Sequence, residues 1–333
     1  MAFLLMRNEN YIKIFLQLTV FSLILYFYKI YVVDSNKTCS VNSHVIFSKQ
    51  NRTTISNDLQ WCEKNPFLIG YKKQLVLDLE HKHYIWTQDR FAKTFDFIKR
   101  YVVSPNKTKG EFPEILYPTN ELLPCPYNNN QMKRYGLSVD SGKWICGLEV
   151  LSPNDSCTVY SLGSANDFRF EESVLGQTKC LAYTFDCTSS PPQKEYDRLR
   201  FYKICLGENS PIQRYIYPES GKMSGNPLST TLTYMNYEQI LKINNHTQVH
   251  VLKMDIEGGE YSVFRDLLTN KNSQNLPYQI SFESHWWNRD IYHSIMHMSL
   301  FSQLWQSGYR LLQYDPNKLD HACVEWTFMR IFC

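Results

Sequence analysis

The sequence predicts an α/β domain on a mostly parallel, seven-stranded sheet with helices on both faces, set behind an N-terminal membrane helix and a polar stem. Three observations carry this reading. A long apolar run lies near the N-terminus, short apolar runs alternate with amphipathic stretches after residue 135, and one such run, at 251–261, stops at an acidic cluster with two glycines.

Residues 14–33, IFLQLTVFSLILYFYKIYVV, match the ~20 apolar residues that a helix needs to cross a bilayer. Lys29 is the only charge inside; its stem can snorkel to the interface, where Tyr26, Tyr28 and Tyr31 form an aromatic belt. Arg7 and Lys13 precede the span, opposed by Glu9, which favours a cytosolic N-terminus. Sequons at Asn36, Asn51, Asn106, Asn154 and Asn245 all follow it, as do the ten cysteines, as expected of a glycosylated, oxidising lumen. The expectation is a type II membrane protein facing the ER or Golgi lumen. Cleavage of the segment would instead secrete the chain.

The net charge is +3 over 333 residues, with no Lys/Arg run, so no nucleic-acid partner is expected. There is no CxxC pair and no finger-like His spacing, so no metal site is assigned. Cysteine spacing leaves the disulfide connectivity open.

The expected organisation is a cytosolic tail at 1–13, the span at 14–33, a polar stem at 34–66, a cap and linker at 67–134, and the main domain at 135–333. Phe91, Phe95 and Ile98 give the cap a helical spacing, and five prolines between 105 and 130 mark the linker. Buried strands are expected at 157–162, 181–185, 201–206, 249–254, 278–282, 309–313 and 324–331, with helical patterns at 170–175, 261–268 and 292–305. Asp315-Pro-Asn317 reads as a turn, so the last strand is expected to insert antiparallel at the edge.

In such a sheet, ligands bind beyond the carboxyl ends of the strands where strand order reverses. The first strand ends in Gly163, Ser164, Ala165 and Asn166. Gly163 permits close backbone approach to a ligand, although a plain turn explains it as well. The second strand ends at Asp186, about twenty residues on, where a carboxylate suits ribose hydroxyls or a helix N-cap. The fourth runs into Asp255, Glu257, Gly258, Gly259 and Glu260. Asp255 and Glu257 stand at the cleft, and Glu260 suits the first helical turn. After the fifth come Glu283 and His285, which an extended chain projects to one side. His285 reads as a general base or as a buried core histidine.

KMDIEGGEY, at 253–261, resembles the KxDxEGxE signature of FkbM-type methyltransferases. With YGLSVDSGKWIC, VYSLGSANDFRFEESV and YTFD before it and QISFESHWW and CVEWTFM after it, the order is similar to that of the methyltransferase-like protein 24 group, covering 135–331. The resemblance implies a Rossmann-like methyltransferase fold and S-adenosylmethionine as cofactor. It places Gly163, Ser164 and Asn166 at the first cofactor loop, Asp186 at the ribose and Asp255 at the fourth-strand edge, with Asp140 and Lys143 as further contacts. Here DSGK stands at 140–143 where the family reads DGGK, and the first loop is poor in glycine.

The implied reaction is methyl transfer to a hydroxyl acceptor, a glycan being one fitting class. His285 or Glu283 would be the base, with Asp255 or Glu257 orienting the acceptor. Two alternatives remain: a binding protein that keeps the fold without the chemistry, and a glycosyltransferase using Asp255-Ile256-Glu257 as a DxD-like metal site.

Overall fold

The computed structural model describes residues 61–68, 71, 122–127, 132–137, 142–151, 157–207, 232–269, 275–285, 291–317 and 323–333. The expected membrane span, nearly all of the stem, the helical pattern of the cap, and Asp140 lie outside these residues. Among the described residues no helix is long and apolar enough to cross a membrane.

A hairpin of β1 (Lys133–Tyr135) and β2 (Lys143–Ile145) precedes the sheet. Next come β3 (Thr158–Leu162), α1 (Arg169–Gln177), β4 (Leu181–Phe185) and β5 (Leu199–Tyr202). The short β6 (Cys205–Leu206) pairs with β7 (Tyr234–Met235). Then follow α2 (Tyr237–Ile243), β8 (Val251–Met254), α3 (Glu260–Thr269), β9 (Gln279–His285), α4 (Ile291–Gln306), β10 (Tyr309–Pro316) and β11 (Cys323–Arg330). The seven-stranded sheet has the order β10-β11-β9-β8-β3-β4-β5. It is mixed: the last strand runs antiparallel to both neighbours. This is a Rossmann-like methyltransferase fold.

Local sequence accounts for the elements. Every residue of β3 and β8 is buried, as expected for strands covered on both faces. Phe170 and Val174 bury one stripe of α1. Asn236 and Gln239 form a capping box that opens α2, satisfying two otherwise orphaned donors.

Alternation along the strands separates two environments. Tyr160, Leu162, Leu252, Met254, Ile280, Phe282, Trp326 and Phe328 join residues of α2, α3 and α4 in one apolar cluster. Val159, Val251 and Met329 join α1, the β1–β2 hairpin and residues 61–68 in another. Helices therefore cover both faces. On the hairpin side the row through Thr184, Ser161, Lys253, Ser281 and Thr327 is polar, and the charged residues beyond it form the site described below.

Three expectations change. Residues 201–206 split, because the Ile204 N–H bonds back to the Tyr202 carbonyl and Cys205 leaves to pair beside Thr233. The last strand does insert antiparallel, but between β9 and β10 and not at the edge. All eight of its residues are buried; β10 is the edge strand, and its outer half, ending in Pro316, is only half-buried. The expected turn residues Asp315 and Pro316 are themselves paired in that strand.

Among the described residues four disulfides form: Cys62–Cys333, Cys125–Cys146, Cys157–Cys180 and Cys187–Cys205. Residues 61–68, which straddle the expected end of the stem, pack on the domain. Cys62 donates its N–H to the Ile331 carbonyl, and the buried Asn65 amide donates to the Arg330 carbonyl at 2.6 Å. Cys62→Ser therefore removes a link across 271 residues of sequence. Thermal unfolding of the full chain should show a loss of about 2–5 kcal/mol; an unchanged melting temperature would mean that this clasp contributes nothing.

Candidate active site

The strand order reverses between β3 and β8, where ligands of such sheets bind. The two loops leaving these strands meet at Gly163, whose φ is +80° and where an added Cβ would stand 1.8 Å from the Asp255 carbonyl oxygen. Only glycine permits this approach. Gly163 thus admits the neighbouring loop of the protein itself, and Lys253 donates to its carbonyl.

Asp186, at the end of β4, joins the first loop to its own. Its Oδ2 accepts from the Ser164 N–H at 2.8 Å, the Ser164 hydroxyl at 3.0 Å, the Ala165 N–H at 3.0 Å and the Ser189 hydroxyl at 2.6 Å. Oδ1 accepts from the Thr188 N–H and hydroxyl and the Ser189 N–H. A carboxylate has about four lone-pair sites, so this one is saturated. Burial opposes its charge, but these hydrogen bonds more than offset that and hold its pKa well below the usual carboxylate range. The turn they brace is unusual, since Ala165 and Asn166 both have left-handed backbones. Asn166 donates its N–H to Ser189 and accepts from the Ser190 N–H at 2.8 Å.

The charged centre lies at the ends of β8, β9 and β11. Register sets Glu325 opposite Glu283 and Cys323 opposite His285 on one face, where cross-strand side chains come within contact. Lys143, on the overlying β2, is fully buried; its ammonium is 2.9 Å from Asp255 Oδ2, 2.5 Å from Glu325 Oε1 and 4.0 Å from Glu283 Oε2. Burial opposes that charge, yet Asp255, Glu325 and Glu283 overcome it and keep the lysine protonated. Burial together with Asp255 and Glu325 pushes the Glu283 pKa upward, only partly countered by Lys143 and His285.

His285 is buried, with Nδ1 3.2 Å from Glu260 Oε1. The same oxygen accepts the Ile256 N–H at 2.9 Å, so Glu260 serves both as a loop cap and as the partner of the imidazole. Nε2 faces Glu257 Oε2 at 3.6 Å, Asp255 Oδ1 at 3.8 Å and Glu283 Oε2 at 3.9 Å. Burial disfavours a charge on this ring, but Glu260, then Asp255 and Glu283, outweigh it and push the pKa up to about 10. Glu257, half-exposed with φ +54°, is the member that reaches furthest toward solvent.

The fold therefore brings Lys143, Asp255, Glu257, Glu283 and His285 together, with Gly163 touching the backbone of Asp255. Ser164, Asn166 and Asp186 form an adjoining loop pair. Sequence reasoning did not single out Glu325, nor Lys253 and the buried Glu171 on the same face. The one available signal was the alternation of Cys323 and Glu325 with Val324 and Trp326, which becomes informative only once β11 is known to lie beside β9.

A methyltransferase fold with an acidic centre at its switch point defines the class. The sequence matches the profile of a methyltransferase domain over residues 78–330, and the chain belongs to that family. The match begins upstream of residue 135. No curated protein sequence matches the chain. Among solved structures, the fibrillarin pre-rRNA processing protein of Methanococcus jannaschii is 10% identical, with 65% of this chain and 86% of that one covered and a TM-score of 0.35. A putative S-adenosylmethionine-dependent methyltransferase of Listeria monocytogenes is 7% identical, over 55% of this chain and 95% of its own, with a TM-score of 0.30. The ribosomal protein L11 methylase of Lactobacillus delbrueckii subsp. bulgaricus is 10% identical over 55% and 77%, with a TM-score of 0.25. The family assignment rests on the domain match.

Asp186→Asn should lower the melting temperature of the full chain with no cofactor added, because it removes the acceptor that braces both loops. The pKa of this group is depressed on folding, so its stabilisation is complete above the unfolded value of about 3.9 and is lost as pH falls. The stability gap between the two proteins should narrow below about pH 4 in that same series. Equal melting at pH 7 would refute the bracing role.

Proposed function

We propose that the chain is an S-adenosylmethionine-dependent O-methyltransferase of the secretory pathway, with a glycan hydroxyl as the acceptor class. The observation that carries it is the convergence of Asp255, Glu257, Glu283 and His285 at the switch point of a methyltransferase-family domain. The finer placement, beside the methyltransferase-like protein 24 group, rests on the ordered motifs from 135 to 331.

The residues fit the cofactor in kind. Its sulfonium and ammonium are cationic, and the edge presents a surplus of carboxylates. Asp186, held ionised, suits ribose hydroxyls, provided that the Thr188 and Ser189 hydroxyls swing away from it. Gly163, Ser164 and Asn166 line the loop that would face the cofactor, and Lys143 acts through Asp255.

Bound S-adenosylmethionine supplies a methyl group on a sulfonium, which an acceptor oxygen displaces in line. The protein must hold the acceptor and take its proton, so positioning supplies most of the rate. Glu283 is loosely held, its contacts with Asn317, His285 and Lys143 being 3.4, 3.9 and 4.0 Å. In its ionised form, which burial, Asp255 and Glu325 shift to higher pH, it accepts the hydroxyl proton, while Asp255 and Glu257 orient the acceptor. Proton loss, formation of the carbon–oxygen bond and breakage of the carbon–sulfur bond leave methylated acceptor and S-adenosylhomocysteine.

Four disulfides support an oxidising compartment. The sequon residue Asn245 is exposed on a turn, open to a lumenal glycosylating enzyme. The apolar run at 14–33 supports a single-pass type II anchor.

Calorimetric titration of the purified full chain with S-adenosylmethionine should show saturable binding; absence of binding would leave a non-catalytic fold. Glu283→Gln should keep that binding and lose methyl transfer to a glycan acceptor by about 10²–10⁴-fold. Retained transfer would remove Glu283 from the chemistry.

A further inference from the structure

We infer that Asp255, Glu257 and His285 form a binding site for one divalent transition-metal ion, the donor atoms being Asp255 Oδ1, Glu257 Oε2 and His285 Nε2. Donor atoms of these three residues lie within 4.8 Å of one another. Nε2 stands 3.8 and 3.6 Å from the two carboxylate oxygens, slightly beyond hydrogen-bond contact. Ligands on one ion, each about 2.0–2.2 Å from it, stand roughly 3–3.5 Å apart. The two Nε2 distances need to shorten by only a few tenths of an ångström to reach that spacing.

The surroundings are those of a ligating imidazole. A metal-bound histidine nearly always gives its other ring N–H to a carboxylate or carbonyl, which fixes the ring. Here the buried Glu260 occupies that place at Nδ1, 3.2 Å away, and is itself anchored by the Ile256 N–H. The ion would replace the second ring proton on Nε2. Asp255 turns its other oxygen to Lys143, so the lysine orients this ligand without occupying the site.

A separate observation concerns buried carboxylate oxygens left without partners. Glu325 is 7% exposed, and its carboxylate stands within 4.8 Å of donor atoms of Asp255 and Glu283. Its Oε2 is nevertheless buried with no hydrogen-bond partner, as is Oε2 of Glu260. Buried carboxylate oxygens are ordinarily paired. Five carboxyl groups, those of Asp255, Glu257, Glu260, Glu283 and Glu325, converge on this centre. Among the described residues Lys143, Lys253 and Arg134, with the imidazole of His285 when protonated, are the positive charges set against them.

Two oxygens and one nitrogen suit Mn²⁺ or Zn²⁺. Among the described residues the Glu257 side chain is half-exposed, which suits a working site that keeps a position for substrate better than a closed structural one. Resting on the methyltransferase reading, the site assigns the ion to the acceptor: a hydroxyl oxygen bound there is held in place and made more acidic, with Glu283 beside it to take the proton.

The test uses the full chain, stripped with a chelator, and Mn²⁺ alone as probe, with bound ion read by loss of the free-Mn²⁺ paramagnetic resonance signal. One Mn²⁺ per chain is expected. Glu257→Gln, which alters a half-exposed side chain, should weaken binding at least about tenfold, and Glu260→Gln should weaken it comparably by releasing the ring. Melting curves establish that both variants fold. No bound Mn²⁺, or binding unchanged in folded Glu257→Gln, overturns the site. S-Adenosylmethionine binding is titrated separately with chelator present. If it persists while Mn²⁺ is not bound, the metal site fails and the methyltransferase reading stands; Mn²⁺ bound without cofactor binding keeps the site and sinks that reading.

Discussion

The ammonium of Lys143, enclosed by carboxylates on three strands' ends, is the interaction on which the site depends. A charge taken out of water is costly unless it is paired and hydrogen-bonded. Here β2 lays its lysine across the ends of β8, β9 and β11, and Asp255, Glu283 and Glu325 converge on it. Without that cation three carboxyl groups would repel one another inside the fold. The hairpin that delivers Lys143 is held in turn by Arg134 and Trp144, both on Asp315 of the edge strand at 2.9 Å.

The sheet's two faces divide the labour. One is mainly aromatic and aliphatic, and packs α2, α3 and α4. The other turns polar along a single row and then charged at the carboxyl ends, where Thr327 also donates to the Trp144 carbonyl at 2.8 Å. Charge can be concentrated there because the first face and the disulfides stabilise the domain independently of it. At the neighbouring edge, Gly163 lets the β3 and β8 loops touch and Asp186 ties the first loop to its own, so the cleft is shaped by backbone contacts that tolerate little substitution.

Much of this was legible in the sequence because strand periodicity and position in order are local properties. The runs ending at Leu162, Phe185 and Met254 match β3, β4 and β8 closely, and the projection of Glu283 and His285 to one side follows from the period of two. What was not legible depends on pairing between distant segments. Glu325 matters only because β11 slots beside β9, and Lys143, which the resemblance placed at the cofactor, meets these carboxylates only because a hairpin folds over both. The strand expected at 201–206 failed because the backbone turns at Lys203 and Ile204, where no glycine or proline marks the break. Gly163 was read as a point where backbone and cofactor come close; what the structure shows there is the Asp255 carbonyl, a contact between loops that a single sequence does not reveal.

Replacing Lys143 by Met, which keeps the apolar stem and removes the charge, tests the central claim most directly through denaturant unfolding of the full chain. Leaving Glu325 and its neighbours buried without their cation should cost about 3–5 kcal/mol, and adding Glu325→Gln should recover part of that loss. An unfolding midpoint equal to that of the parent chain would contradict the account, because the carboxylates would then be held in place by something other than the buried ammonium.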